Sequence, residues 1–469
     1  MNKNLTLILF LLIFFIIYNI LLIKFLPPKE EALQKKEVKK EEIEVILPSL
    51  KIKEHKDLKI ENKNLEIIFS EKGGFIKGIS LKKFKTNGKK MLSIPLYNFI
   101  SPFDSLLYFK EIEGNTIVFG SEDGKIKKKY ELLEGYKIKV KFENIPQFLF
   151  SVLPYIDKDD EKDYHLIEYT KGKIKKHKLK DFLDIDYGGE NTLWFGSETK
   201  YFISVIIKPS YFKKIIKGEE YKEGKFFKIV HEPRDSFYVY FGPKDYFILR
   251  KEGFALENLY PMGFYIFKPF TLFILYSFKW GYEILKHFSI VILIFTLLMK
   301  VAFMPLTLKS LRAMKKMEEL RPRMEALKKA YKDDPKKLNE ETLKLYKEMG
   351  VNPFSGCFPL LLQLPIFWAL YQVLRYDIMF RGEELFLWIK DLSYKDPFYL
   401  LPIFMGLTSL LQQFLQPSQD PKTKKIGFFM AVFITIIFLN FPAGLVYYWL
   451  LYNIFGIFET LLIKRKIYK

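Results

Sequence analysis

The feature that most constrains this chain is how its apolar residues are distributed. They collect in long, nearly charge-free runs near the N-terminus and through the last two hundred residues, and do not alternate with polar ones. Segregation of this kind marks a membrane protein, because about 20 consecutive apolar residues in a helix cross the roughly 30 Å hydrocarbon core. Leu5–Ile23 carries no charge. It reads as an anchor or uncleaved signal, since Lys24-Phe25-Leu26-Pro27-Pro28 follows where a small-residue cleavage site would stand. Lys29–Glu44 is mostly Lys and Glu, too poor in apolar surface to pack, and reads as a tether.

From Leu58 to Arg250 the pattern changes to short runs of Ile, Phe, Tyr and Val set between turn residues. Leu65–Phe69, Gly73-Gly74 and Phe75–Leu81 form one hairpin-like unit, and Asn87-Gly88, Asp123-Gly124, Glu134-Gly135 and Gly188-Gly189 repeat the turn chemistry. A large β-sandwich is the economical architecture. His165, His177, His231 and nearby carboxylates leave a sugar-binding site open, although carboxylates in lysine-rich loops are usually solvated surface.

The C-terminal half offers five spans: Phe288–Leu306, Phe354–Leu374, Phe398–Leu415, Ile426–Phe441 and Leu445–Ile463. Charge orients them. Leu308–Gly350 has 13 basic against 8 acidic residues, Arg375–Asp396 has 4 against 5, and the connector with Asp420, Lys422, Lys424 and Lys425 and the tail after Ile463 are basic. The alternation predicts a cytoplasmic hairpin, connector and tail, and an external β-domain. Tyr265–Trp280, with Lys268, Pro269 and Lys279, then cannot cross and is expected to lie in the interface as an amphipathic helix. Long translocated domains escape the charge rule, so the overall charge of +21 is compatible with an external β-domain.

Leu311, Met314, Met317, Leu320, Met324, Leu327 and Tyr331 repeat at helical spacing, and Asp333-Asp334-Pro335 supplies a stop, a cap and a first-turn proline before a second helix. Pro322 is expected to kink the first arm. The hairpin is either a topogenic loop or a docking surface in which Met314, Met317 and Met324 accept varied apolar sequences.

Within the spans, Lys300 is the one charge between His287 and Lys309. Either it faces a polar cavity or it snorkels towards the interface. Thr296, Gln363, Gln372, Thr408, Gln412 and Gln413 on the spans point to a shared wet interior or to interhelical hydrogen bonds. Cys357 is the only cysteine, so intramolecular disulfides and cysteine-based zinc clusters are excluded; the P-loop signature is missing as well, and neither cofactor nor metal is expected.

Pro305-Leu306-Thr307, Met314-Lys315-Lys316-Met317, Asp334-Pro335, Asn352-Pro353, Gly356-Cys357-Phe358-Pro359-Leu360, Gln363-Leu364-Pro365-Ile366-Phe367 and Phe441-Pro442-Ala443-Gly444-Leu445 with Asn453 occur in order. With Gly73-Gly74, Trp194-Phe195-Gly196, Lys200-Tyr201-Phe202 and Gly242-Pro243-Lys244, the chain resembles the YidC/Oxa-type membrane protein insertases in their Gram-negative form.

The resemblance implies a non-enzymatic insertase of the inner membrane. Its parts would be an anchor (1–26), a linker (27–57), a periplasmic β-supersandwich (58–255), an interfacial helix (264–287) and a five-helix core (288–469) bearing the cytoplasmic hairpin (308–350). It also implies a hydrophilic groove open to cytoplasm and lipid, with Lys300 where the family has an arginine, and with Thr296, Gln363, Gln413, Tyr448 and Trp449 as groove residues. Nascent membrane proteins, lipids, the Sec translocon, the ribosome and the signal recognition particle are the implied partners, and DNA is not. A secondary transporter would need internal repeats and a midplane acid, and the sequence suggests neither.

Overall fold

The computed structural model describes residues 57–86, 90–152, 163–183, 186–188, 191–208, 215–221, 224–230, 236–350, 358–385, 388–416 and 421–467. The expected anchor, the tether up to residue 56 and the Asn352-Pro353 and Gly356-Cys357 motifs lie outside them.

The described residues between 57 and 243 form mainly antiparallel β-structure in three sheets. The largest has nine strands, in the order Lys173–His177, His165–Thr170, Thr192–Glu198, Phe202–Ile207, Ser236–Pro243, Lys137–Glu143, Lys127–Leu132, Thr116–Gly120 and Tyr108–Glu113. One four-stranded sheet runs Asp57–Glu61, Leu65–Ser70, Ile76–Thr86, Lys90–Asn98, and the other Asp186–Gly188, Ile215–Tyr221, Gly224–Val230, Gln147–Ser151. Alternate residues face inward, as in Lys137–Glu143, where Ile138, Val140 and Phe142 are buried between exposed or half-buried lysines. Phe69, Phe99, Phe119, Tyr130, Phe142 and Phe148 interlock as the aromatic centre of the sandwich.

The Gly73-Gly74 turn closes the predicted hairpin, with Leu65 opposite Leu81. Gly74 has φ +59°, and a Cβ there would stand 2.5 Å from the Phe119 ring, so the aromatic core packs directly onto its backbone. Beneath it the wholly buried Lys128 donates to Gly73 O (2.9 Å), Phe99 O (2.6 Å) and Asp104 Oδ1 (2.6 Å), which satisfies all three ammonium donors.

Helices follow. α1 (Tyr246–Glu252) is capped by Asp245, whose side chain accepts from the Ile248 N–H at 2.8 Å. α2 (Lys268–Leu285) buries Thr271, Ile274, Leu275 and Phe278 along one stripe and exposes Phe273, Tyr276, Trp280 and Ile284 on the other. α3 (Phe288–Glu319) runs well past the predicted span end at Leu306, because residues 307–319 are rich in Leu, Met, Ala, Lys, Arg and Glu, all strong helix formers.

Pro322 starts a new helix and does not kink the old one. α3 stops at Glu319, and α4 (Arg321–Ala330) begins with Pro322 in its first turn, where the missing N–H costs nothing. α5 (Pro335–Glu348) is capped by Asp334, which accepts from Lys337 N at 3.0 Å.

α6 (Phe358–Tyr376), α7 (Leu400–Leu415), α8 (Pro421–Phe438) and α9 (Ala443–Ile467) occupy the other four predicted spans. Among the described residues, α3 and Ala443–Ile463 of α9 are long and apolar enough to cross a membrane, and α7 is a shorter apolar helix. α9 packs on α7 and α3, α7 on α8, and α2 on α6 and α3.

Candidate functional site

α3, α7 and α9 meet along a seam whose polar groups are few and mutually positioned. Lys300, on α3, is buried, and its Nζ lies 3.3 Å from Glu459 Oε2 on α9. The Tyr452 ring, two turns before Glu459, sits under the ammonium with its centroid 3.9 Å away. α9 admits this side chain because residue 456 is glycine. A Cβ there would stand 2.9 Å from Lys300 Nζ and 2.5 Å from Gln412 Nε2, so Gln412 of α7 and Lys300 both reach over its backbone. One turn from Tyr452 towards the start of α9, Tyr448 is fully buried, and its hydroxyl receives the Gln363 amide at 2.5 Å. Asn453 ties α9 to α7 by donating to Met405 O (3.1 Å), Ser409 Oγ (2.7 Å) and Thr408 Oγ1 (3.3 Å).

The hydroxyls around the charge pair are engaged by their own helices. Thr296 donates to Ile292 O (2.6 Å), Thr307 to Phe303 O (3.2 Å) and Thr460 to Gly456 O (2.8 Å). Burial of such groups is tolerable only with these bonds made.

The predicted groove residues divide. Lys300, Thr296, Gln363 and Tyr448 are buried between the helices. Trp449 instead joins an aromatic cluster with Phe367 and Phe438, each 5.3 Å away, since successive helical residues point about 100° apart. Gln413 packs on Gly427 of α8, and its neighbour Gln412 takes the place beside Lys300. Glu459 and Tyr452 did not emerge from the sequence. Glu459 stands 159 residues from Lys300, yet it is the single charged residue in the predicted span Leu445–Ile463, the same signal that singled out Lys300, and its register with Tyr452 and Gly456 places all three on one face.

Of the hairpin methionines, Met314 is buried against Leu311 and Ile463 of α9. Met317 and Met324 pack on Leu320 and Leu345 between the two arms. The hairpin's large exposed apolar side chains are Leu343 and Met349. Among the described residues no group of three His, Cys, Asp or Glu side chains could hold a metal ion.

A second constellation joins the β-domain to the helices. Tyr201 donates to Arg375 O at 3.4 Å, and Arg375 pairs with Asp163 at 3.5 Å. Lys200 lies over the Tyr201 and Tyr394 rings at 4.6 and 4.8 Å, with Arg381 over Tyr201 and Phe202. Tyr260 donates to the buried Asp377 Oδ2 at 2.8 Å. Behind them burial pushes the Glu198 carboxyl up, but Lys244 and Lys176, both bonded to it, outweigh that and hold it below the usual range. The Lys200-Tyr201-Phe202 motif is thus a seat for the loop after α6.

A family model described as "60Kd inner membrane protein" matches residues 280–469. The membrane protein insertase YidC of Aquifex aeolicus is 35% identical over 492 aligned positions, covering 97% of this chain and 94% of that protein. The corresponding protein of Syntrophus aciditrophicus is 38% identical over 66% of this chain and 60% of its own length. A solved structure titled "Active YidC insertase crystal structure with the first transmembrane domain resolved" aligns over 89% of this chain and 94% of that one, with 22% identity and a TM-score of 0.42. With near full-length coverage at this identity, the chain belongs to the YidC family of membrane protein insertases.

Proposed function

We propose that this chain inserts newly made proteins into the inner membrane by holding their polar segments in the seam between α3, α7 and α9 while their apolar helices pass into lipid. A polar tail cannot cross hydrocarbon unaided, because each unsatisfied backbone group costs several kcal/mol there. A charge pair flanked by amides along part of that path replaces some of the lost hydration. Burial of the substrate's apolar helix supplies the driving force. No covalent bond is made or broken, so the work is that of a chaperone.

The observation that carries this reading is Lys300 held at 6% exposure within the apolar stretch of α3, where it is the one charge between His287 and Lys309. Ionisable groups in such places mark substrate pathways. A merely snorkelling lysine would extend to the interface, whereas this one turns to a partner on another helix.

In this reading α3, α6, α7, α8 and α9 are the five spans, and the β-domain faces the periplasm. The α3 extension, α4 and α5 reach into the cytoplasm as a hairpin that receives substrate, and the tail ends on the same side. α2 lies in the interface, with its exposed Phe273, Tyr276 and Trp280 at headgroup depth, where amphipathic rings are favoured. Nascent membrane proteins and lipids are the direct partners; the Sec translocon, the ribosome and the signal recognition particle would deliver substrates.

The test is insertion of single-span reporters in cells depleted of their own insertase and supplied with this chain. Lys300→Arg is expected to support insertion, and Lys300→Ala to slow acidic-tailed reporters by about three- to tenfold. Wild-type rates for Lys300→Ala on every tail would contradict the groove.

A further inference from the structure

The charge that the groove offers to substrates is already neutralised from within. We propose that Glu459 is a built-in competitor for the acidic segments of insertion substrates: it occupies Lys300 between substrates, yields it to an incoming carboxylate, and so sets how acidic a segment must be to be retained. The proposal rests on the groove reading and adds to it a selectivity residue.

Three observations support exchange over a fixed structural bridge. First, the pair is loosely made. Its single contact of 3.3 Å is longer than the 2.7–2.9 Å usual for a charge-assisted bond, and Glu459 Oε1 is buried with no hydrogen bond among the described residues. Thr307, whose hydroxyl donates to Phe303 O, also stands within hydrogen-bond reach of the Glu459 carboxylate. Second, a lysine ammonium has three donors in rotating array, and Glu459 takes one while the Tyr452 ring covers another face. A second carboxylate can therefore bind before the first has left. An arginine locked in a two-point fork with the same glutamate would exchange less readily. Third, Glu459 is flanked on α9 by Phe458 and Leu462, which are 60% and 64% exposed. The pair thus lies beside the apolar surface through which a substrate helix would leave for lipid.

The consequence is selectivity. A lone cation here would attract any anion, including lipid phosphate, whereas a neutral pair attracts weakly at a distance. It opens only to a carboxylate held at high effective concentration on a segment already in the groove.

The experiment uses the full chain and reporters whose tails are acidic, neutral or basic, comparing wild type, Glu459→Gln, Lys300→Ala and the double variant at matched expression. Glu459→Gln is expected to speed acidic-tailed reporters by about three- to tenfold relative to neutral ones and to slow basic-tailed ones. The double variant is expected to lose dependence on tail charge. Equal slowing of all tails by Glu459→Gln would mean that Glu459 only positions Lys300, and would overturn the proposal. So would wild-type rates on every tail while Lys300→Ala still slows acidic tails, a result that leaves the groove standing. The exchanged pair Lys300→Glu with Glu459→Lys provides a control for folding. It is expected to retain acidic-tail insertion within about threefold of wild type, and uniform loss in a stably accumulated protein would count against the proposal.

Discussion

Asp377 follows α6 directly and is wholly buried against Tyr260, which donates to it, and the Met379 N–H. Burial and then the Asp245 carboxylate push its carboxyl up; the Met379 and Tyr260 bonds and Lys279 pull the other way without prevailing. Its folded pKa therefore lies above the unfolded one. The native state keeps a proton that the unfolded state gives up, so stability falls as pH rises above the ordinary carboxylate range, by about 1.4 kcal/mol for each unit separating the two values. Thermal unfolding of the detergent-solubilised chain is expected to weaken from pH 5 to 8, and Asp377→Asn, which keeps the Tyr260 bond, to flatten that slope. An unchanged slope would remove Asp377 from the account. At this scale the sequence revealed Lys300, because a charge in an apolar run is visible in one dimension. Glu459, the single charge between Lys425 and Lys464, was visible in the same way, but its pairing with Lys300 159 residues away, like the contact of Asp377 with Tyr260 117 residues away, is a product of packing.

The end of α3 with α4 and α5 buries little: Leu320, Thr342 and Leu345, with Met317, Met324, Leu327 and Tyr346 around them. So small a core cannot hold a rigid platform, and local opening is cheap. That suits a segment which captures varied apolar chains, since the methionines that close the hairpin upon itself would be the ones to receive a guest. Replacing Lys315–Lys347 by a short linker is expected to abolish reporter insertion while protease protection of the spans is retained. Full insertion would assign the hairpin to topology alone. Helix ends here were legible wherever a cap or proline announced them, as at Asp334-Pro335. The stop at Glu319 was not, because Pro322 reads equally well as a kink or as a first-turn residue until the chain's direction is known.

The β-domain is seated on the helical core through Tyr201, Lys200 and Asp163 on one side and Arg375, Arg381 and Tyr394 on the other. Short runs of Ile, Phe, Tyr and Val between glycine turns made the sandwich readable in sequence, but this seat was not, since its residues look like ordinary strand ends and loop cations. The polar seam lies within α3, α7 and α9 and uses no β-domain residue. Removal of residues 58–250 is therefore expected to preserve insertion of a short single-span reporter while lowering the unfolding temperature in detergent, because Arg375 loses Asp163 and Tyr201 and Arg381 loses Tyr201 and Phe202. Complete loss of insertion by a stably expressed deletion would show that the domain takes part in transfer. The central claim is that substrate polar segments pass through the seam, and site-specific photo-crosslinking to a stalled single-span nascent chain tests it most directly. A probe replacing Gln412, beside Lys300, is expected to capture the substrate's polar tail, and one replacing Leu462, on the exposed apolar face of α9, its apolar helix. Capture of the tail from Leu462 and none from Gln412 would contradict the account.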